Sequence, residues 1–265
     1  MSSFPSIFVS HGSPMLAIED GPARRFLGTL GIKLGRPRAI LVASAHWLTA
    51  APTVSLAKTP RTIHDFGRFS DDLFALSYKA PGAPPIAQAA LHLLNEAGIP
   101  ARAHPDRGLD HGAWVPLRLM YPDADIPIAQ ISIQPDAGPA HHFRIGRALG
   151  PLRDEDVLIL GSGGITHNLN AFFTSPTTTR TPEWVETFAT WISEALAEGR
   201  IEDLLEYRRQ APFAVENHPT DEHLLPLFMA LGAGGDEGGA QQLHSSFEAG
   251  VLAMDAYAFN ASGLG

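Results

Sequence analysis

Three histidines in this chain stand where apolar, strand-like runs come to an end. His11 closes SIFVSH (residues 6–11), His46 closes the apolar run of AILVASAHW (39–47), and His167 ends VLILGSGGITH (157–167). Runs of this kind read as strands buried on both faces, and in an open α/β sheet the strand ends converge on one crevice. Histidines far apart in sequence can therefore meet there. Neutral imidazole suits iron, zinc and copper, and two imidazoles with a third N or O donor form a facial set that leaves positions open for substrate and oxygen. The third donor lies among Glu216, His218, Asp221, Glu222 and His223, which crowd ENHPTDEH, and spacing does not choose between them. The absence of cysteine removes disulfides, thiolate nucleophiles and Cys-ligated metal centres, leaving histidines and carboxylates as ligands.

Other residues could work on a substrate. His111 sits in a polar turn, GLDHG, beside Asp110, where a carboxylate can support an imidazolium. His64 lies next to Asp65 and Phe66 in a long turn-rich segment, 62–85, that reads as a wall or lid of the crevice and could face a substrate. Trp47, Phe66 and Trp114 are candidate walls for an aromatic ring. Arg61, Arg68 and Arg118 could hold a substrate carboxylate. His92, His104, His141, His142 and His244 read as solvated. Thr166 occupies the place where a dinucleotide-binding loop needs its third glycine, and neither His-Glu-x-x-His nor Gly-x-Ser-x-Gly occurs.

The elements that must position these residues alternate between strand and helix. Strands are predicted at 6–10, 39–47, 53–57, 102–105, 126–133 and 157–160, the last leading into a loop at 161–164, with an edge strand at 252–259. Helices are predicted at 22–30, 86–97, 113–120, 139–152, 182–198, 202–209 and 221–231. Pro226 within the last of these calls for a kink or a shifted start. The expected fold is a single-domain α/β open sheet, largely parallel or mixed, with helices on both faces and a metal site at the strand ends. No internal repeat or linker divides residues 1–265.

With 45% apolar residues in a chain of 265, a large single core is affordable. The 19 basic against 28 acidic residues leave a net charge of −9 with no basic cluster, which argues against nucleic acid and anionic membrane as partners. No signal-peptide pattern and no run near the roughly 20 apolar residues of a membrane helix is present, so a cytoplasmic protein is expected.

Seven motifs occur in a fixed order: SHGSPM (10–15), SAHW (44–47), TIHDFG (62–67), DHGAW (110–114), YPDADIP (121–127), GSGGITHNL (161–169) and PTDEHLLPL (219–227). Together they resemble the extradiol dioxygenases of the LigB-like, DOPA 4,5-dioxygenase type, over residues 10 to about 232. The resemblance implies an α/β domain with a non-haem Fe(II) site, which Zn(II) can occupy as isolated, and cleavage of a catechol ring beside its hydroxyl pair by O2. It implies His11 and His46 as metal ligands, with His223 in the third position. His167 corresponds to a histidine read in some members as a fourth ligand and in others as an acid/base, and His111 to one assigned to proton transfer. Better-known ring-cleaving relatives complete the triad with a glutamate; His223 in its place leaves more positive charge on the metal. Two other classes use the same histidines: a zinc hydrolase with metal-bound water as nucleophile, and a non-catalytic metal-binding protein.

Overall fold

Strands alternate their side chains between two faces, so a run of apolar residues without interruption must be covered on both. The computed structural model, which describes residues 4–67, 69–174, 180–235 and 239–261, answers this with one large mixed sheet between two layers of helices. Its strands are β1 (Ser6–Ser10), β2 (Ala39–Leu48), β3 (Thr53–Ser55), β4 (Arg102–His104), β5 (Ile128–Ile133), β6 (Val157–Gly163), β7 (Ala240–His244) and β10 (Ala256–Phe259), in the order β4-β3-β5-β2-β6-β1-β10-β7. A separate hairpin pairs β8 (Phe247–Glu248) with β9 (Leu252–Ala253). The central pairs β5/β2, β2/β6 and β6/β1 are parallel, whereas β10 runs antiparallel to both of its neighbours, β1 and β7.

The helices are α1 (Pro22–Leu34), α2 (Asp71–Ala75), α3 (Pro84–Glu96), α4 (His111–Met120), α5 (Gly138–Leu149), α6 (Leu169–Thr174), α7 (Glu183–Ala197), α8 (Ile201–Leu205), α9 (Tyr207–Gln210), α10 (Ala214–Asn217) and α11 (Leu225–Gly234). Alternation along β2 sends Ile40 and Val42 into the core under α1 and α4, and Leu41 and Ala43 into the core under α3, α5 and α11. β1 and β6 divide in the same way, with Ile7, Val9, Leu158 and Leu160 on one side and Phe8, Val157 and Ile159 on the other. Each fully buried aliphatic chain contributes about 1.5–3 kcal/mol, so the central strands are among the most strongly held parts of the chain. That rigidity is what carries the histidines. Among the described residues, no helix is long and apolar enough to cross a membrane.

Several boundaries differ from the sequence reading. The glycine-rich stretch after Leu160 is strand as far as Gly163 rather than loop, because it pairs with β1 on one side and β2 on the other. A Cβ on Gly161 would fall 2.3 Å from the Pro226 carbonyl oxygen, and one on Gly163 would fall 2.0 Å from that of His223. Only a strand without side chains lets α11 and the turn before it approach so closely. The predicted edge strand at 252–259 divides into β9 and β10, and β10 is interior, flanked by β1 and β7. The helix predicted at 221–231 starts at Leu225, which puts Pro226 in the first turn where its missing N–H costs nothing and leaves His223 in the preceding turn. His142 is fully buried rather than solvated: its Nε2 accepts from the Gln134 N–H at 3.1 Å and its Nδ1 lies 2.8 Å from the Gly138 carbonyl oxygen. Arg68 lies outside the described residues.

Gly163→Ala is expected to destabilise the metal-free protein by about 1–3 kcal/mol or more, since the methyl meets backbone rather than a movable side chain. Urea unfolding measures this, and a wild-type midpoint would show that α11 can retreat without cost.

Candidate active site

The parallel strands β2, β6 and β1 lie side by side, so their C-terminal ends open on a common crevice. His11 is the residue after β1, His46 lies near the end of β2, and His167 follows β6 by four residues. His223 arrives from the other side, in the turn held to β6 by the Gly164 N–H, which donates to the His223 carbonyl at 2.8 Å. His111 opens α4 rather than lying in a free turn, and Asp110 is its N-cap, with the carboxylate accepting from the Ala113 N–H at 3.2 Å.

Asp110 does more than cap. Wholly buried, it also accepts from Ser44 Oγ at 2.5 Å, Gln130 Nε2 at 2.6 Å and Arg107 Nη2 at 3.0 Å, so one carboxylate joins β2, β5 and α4 beneath the histidines. Gly112 completes the floor. A Cβ there would fall 2.4 Å from Ser44 Oγ and 2.9 Å from the His46 ring, so glycine is what allows the start of α4 to close on the cluster.

The ring nitrogens can be assigned from their partners. Ser162 donates its single hydroxyl proton to the Gly112 carbonyl (2.5 Å), so towards His11 Nδ1, 3.0 Å away, it can only accept. His223 Nδ1 faces Glu222 Oε1 at 3.1 Å, and a carboxylate also only accepts; His46 Nδ1 stands 3.4 Å from Asp65 Oδ2, an ion-pair distance without a hydrogen bond, at which a lone pair would meet the carboxylate's charge unfavourably. All three rings therefore hold their proton on Nδ1 and turn a bare Nε2 inward. These nitrogens lie 3.0 Å apart (His11–His46) and 3.3 Å apart (His46–His223). Lone pairs at that spacing repel one another unless a cation lies among them. Three neutral imidazoles oriented by acceptors behind them make a group that could hold a metal ion.

Electrostatics agree with the geometry. Burial, then the neighbouring imidazoles, hold His11 and His223 well below the ordinary histidine pKa. Burial and the nearby His111 bring His46 down to about 3, against the pull of Asp65, and burial brings His167 to about 4. For Asp65, burial acts upward but the hydrogen bonds and charge of His111 outweigh it, leaving the carboxyl at about 2. At physiological pH His11, His46, His167 and His223 are therefore neutral, with the Asp65 carboxylate beside them. His167 stacks on His223 with ring centres 3.3 Å apart, and His111 lies 4.0 Å from the His46 ring.

The histidines form one wall of a cavity of about 320 Å³, towards the small end of the range for small-molecule sites. Phe66, Phe69, Leu169, Phe172, Phe173 and Met254 supply the apolar part of its lining, with Phe66 edge-on to the His111 ring. Of the residues expected to face substrate, Phe66 lines the cavity; Trp47, Trp114 and His64 do not. Trp47 follows His46 on a strand, so alternation turns it to the other side, where it meets His104 and lies under the Arg107 guanidinium. Trp114 is fully buried and donates Nε1–H to the Ile63 carbonyl at 3.0 Å. His64 Nε2 lies 3.0 Å from the Leu76 carbonyl oxygen, on a separate surface depression that Arg61 also lines. Asp65 and Ser162 were not anticipated as site residues. Asp65 was hidden beside a more conspicuous histidine, in a segment with no strand to fix the direction of its side chains.

The chain belongs to the family described as the catalytic LigB subunit of aromatic ring-opening dioxygenase, whose model matches residues 5–259. Among relatives, the 4,5-DOPA dioxygenase extradiol of Beta vulgaris is 41% identical over 261 residues, covering 97% of each chain. That of Escherichia coli K12 is 42% identical over 233 residues, covering 86% of this chain and 84% of the relative. A crystal structure of an uncharacterized protein from Escherichia coli K12 superposes with a TM-score of 0.82 at 35% identity, covering 97% of this chain and 99% of that one.

The lowered histidines give the metal-free protein a defined acid response. Burial holds His142 and His218 at about 4 against an ordinary 6.5, so the folded state prefers them neutral. Their contribution is complete above about pH 6.5 and is lost as pH falls towards 4, at up to about 1.4 kcal/mol per pH unit each. His46 and His167 add in the same direction. Asp255, raised by burial to about 6, opposes them below that pH. Urea midpoints of metal-free protein are expected to fall between pH 7.5 and 5.0, and an unchanged midpoint would contradict the assignment of neutral rings.

Proposed function

We propose that the protein is a non-haem Fe(II)-dependent extradiol dioxygenase that opens the ring of a catechol, DOPA-like or related, with O2, and that residues 1–265 form a single catalytic domain. The observation that carries this reading is the convergence of three unprotonated Nε2 atoms, on His11, His46 and His223, at one end of an apolar cavity. The printed names of the relatives supply the substrate class. A chain with a net charge of −9 suits a cytoplasmic enzyme of small molecules better than a partner of nucleic acid or membrane.

His11, His46 and His223 would hold the metal, with His167, stacked on His223, beside them as a further ligand or an acid/base. Bound there, Fe(II) supplies the redox chemistry between catecholate and O2 that Zn(II) lacks. The protein's own residues handle protons and orientation. Asp65 occupies His111 Nδ1 at 3.1 Å, which leaves the other ring nitrogen to take a proton from a catechol hydroxyl and return it later. The wall of Phe66, Phe69 and Phe172 offers ring faces to an aromatic substrate and excludes water from the reacting edge.

The test is oxygen uptake with a ring-opened, yellow product when anaerobically Fe(II)-loaded protein meets a panel of catechols including DOPA, beside a zinc-loaded control. Iron-dependent uptake is expected. Activity that survives zinc and the absence of oxygen would instead identify a hydrolase, and iron-loaded protein inert to the whole panel would point to a binding protein. His11→Ala and His46→Ala are expected to lose bound metal by elemental analysis, and with it ring cleavage. His111→Ala is expected to keep its metal and lose about 10²–10⁴-fold in turnover; normal turnover would remove it from the mechanism.

A further inference from the structure

Asp65 touches two of the histidines whose roles differ most. Its Oδ1 accepts the His111 backbone N–H at 2.8 Å and faces His111 Nδ1 at 3.1 Å, while its Oδ2 stands 3.4 Å from His46 Nδ1. The two imidazoles lie against each other, 4.0 Å between ring centres. Asp65 is an exposed residue that lines the cavity, its side chain one-fifth accessible, so it is held by these contacts and not by the core.

We propose that Asp65 is a shared positioning residue: one carboxylate fixes the proton on Nδ1 of both His46 and His111, so that the metal-binding nitrogen and the proton-exchanging nitrogen are set by a single side chain. The proposal rests on the reading of His46 as a ligand and His111 as the acid/base. A neutral imidazole has one N–H and one lone pair, and an ionised carboxylate presents two acceptor oxygens and no donor. With a lone pair on Nδ1, either ring would face a carboxylate oxygen unfavourably, so both are driven to the form in which Nε2 is bare. For His46 that nitrogen points at His11 and His223. For His111 it is the ring nitrogen that Asp65 leaves unused. The backbone bond from His111 adds register, tying the segment around Asp65 to the first residue of α4.

The arrangement predicts a specific asymmetry between two substitutions. In Asp65→Asn, the amide oxygen can still accept from His111, but the NH2 group turned to His46 donates to Nδ1 and drives the proton onto Nε2, where it blocks coordination. Asp65→Ala removes both preferences and leaves each ring a mixture of tautomers. Outer-shell partners of ligating histidines are typically worth about 10–100-fold in metal affinity, so Asp65→Asn is expected to weaken Zn(II) binding by about that factor.

The experiment is ¹⁵N imidazole NMR of metal-free wild type, Asp65→Asn and Asp65→Ala, with Zn(II) affinity by chelator competition and kcat and KM of the Fe(II)-loaded forms for a catechol. Expected are Nδ1–H forms of His46 and His111 in the wild type, an Nε2–H form of His46 in Asp65→Asn with weaker Zn(II) binding, and mixed forms in Asp65→Ala with kcat reduced more than KM is raised. Unchanged tautomers, or Zn(II) affinity equal to wild type in Asp65→Asn, would overturn the proposal. His46→Ala serves as the reference. Undiminished metal there would defeat the ligand reading, while the tautomers would still decide by themselves whether Asp65 sets the two rings.

Discussion

The arrangement of this molecule depends on a repulsion. Three imidazole nitrogens with bare lone pairs are brought together, that of His46 standing 3.0 Å from that of His11 and 3.3 Å from that of His223. Left alone, such rings would swing apart or protonate. They do neither because each is fixed from behind: His11 by Ser162, His223 by Glu222 and His46 by Asp65, with burial suppressing the charged forms. The sheet supplies the force that holds the cluster closed. Strands buried on both faces cannot yield at their ends without disturbing the core, so the free energy of packing maintains a donor set that is unfavourable in itself. A cation converts that cost into affinity.

Glycine is the second requirement. Gly112, Gly161 and Gly163 stand where backbone or ring comes within 3 Å of an imagined Cβ. Two of them lie in the middle of the sheet, where glycine otherwise weakens a strand. Their service is to let a turn and a helix approach a strand closely enough for His223 to join residues that belong to the sheet. The loss in strand propensity is offset by the contact it permits.

Much of this was legible in the sequence because it follows from local pattern. Apolar runs ending in His11, His46 and His167 located the strands and the crevice, and mixed polarity with capping residues located most helices. What was not legible depends on tertiary approach. Nothing local shows that Gly161 to Gly163 continue a strand, since the stretch is held by pairing with the distant β1 and β2 and is glycine because of α11 and its preceding turn, about sixty residues away. Nothing in 252–259 shows that a second strand will pair beyond it and make it interior. Among the site residues, histidines drew attention by their chemistry, whereas Asp65 and Ser162 act through contacts with other residues and carry no signature of their own. Trp47 and Trp114 show the converse: aromatic type suggested a ring-binding wall, and side-chain direction turned both away from the cavity.

The two sides of the cavity also differ in origin. The nitrogen-bearing side rests on β1, β2, β6 and the start of α4, whereas the apolar side comes from the segment around Phe66 and Phe69 and from Leu169, Phe172 and Phe173 in and beside the short α6. The α6 side chains can be exchanged without disturbing the imidazoles, whereas the stretch around Phe66 is tied to them through its neighbour Asp65. The molecule thus joins a rigid nitrogen-bearing centre to one wall, α6, that is built independently of it.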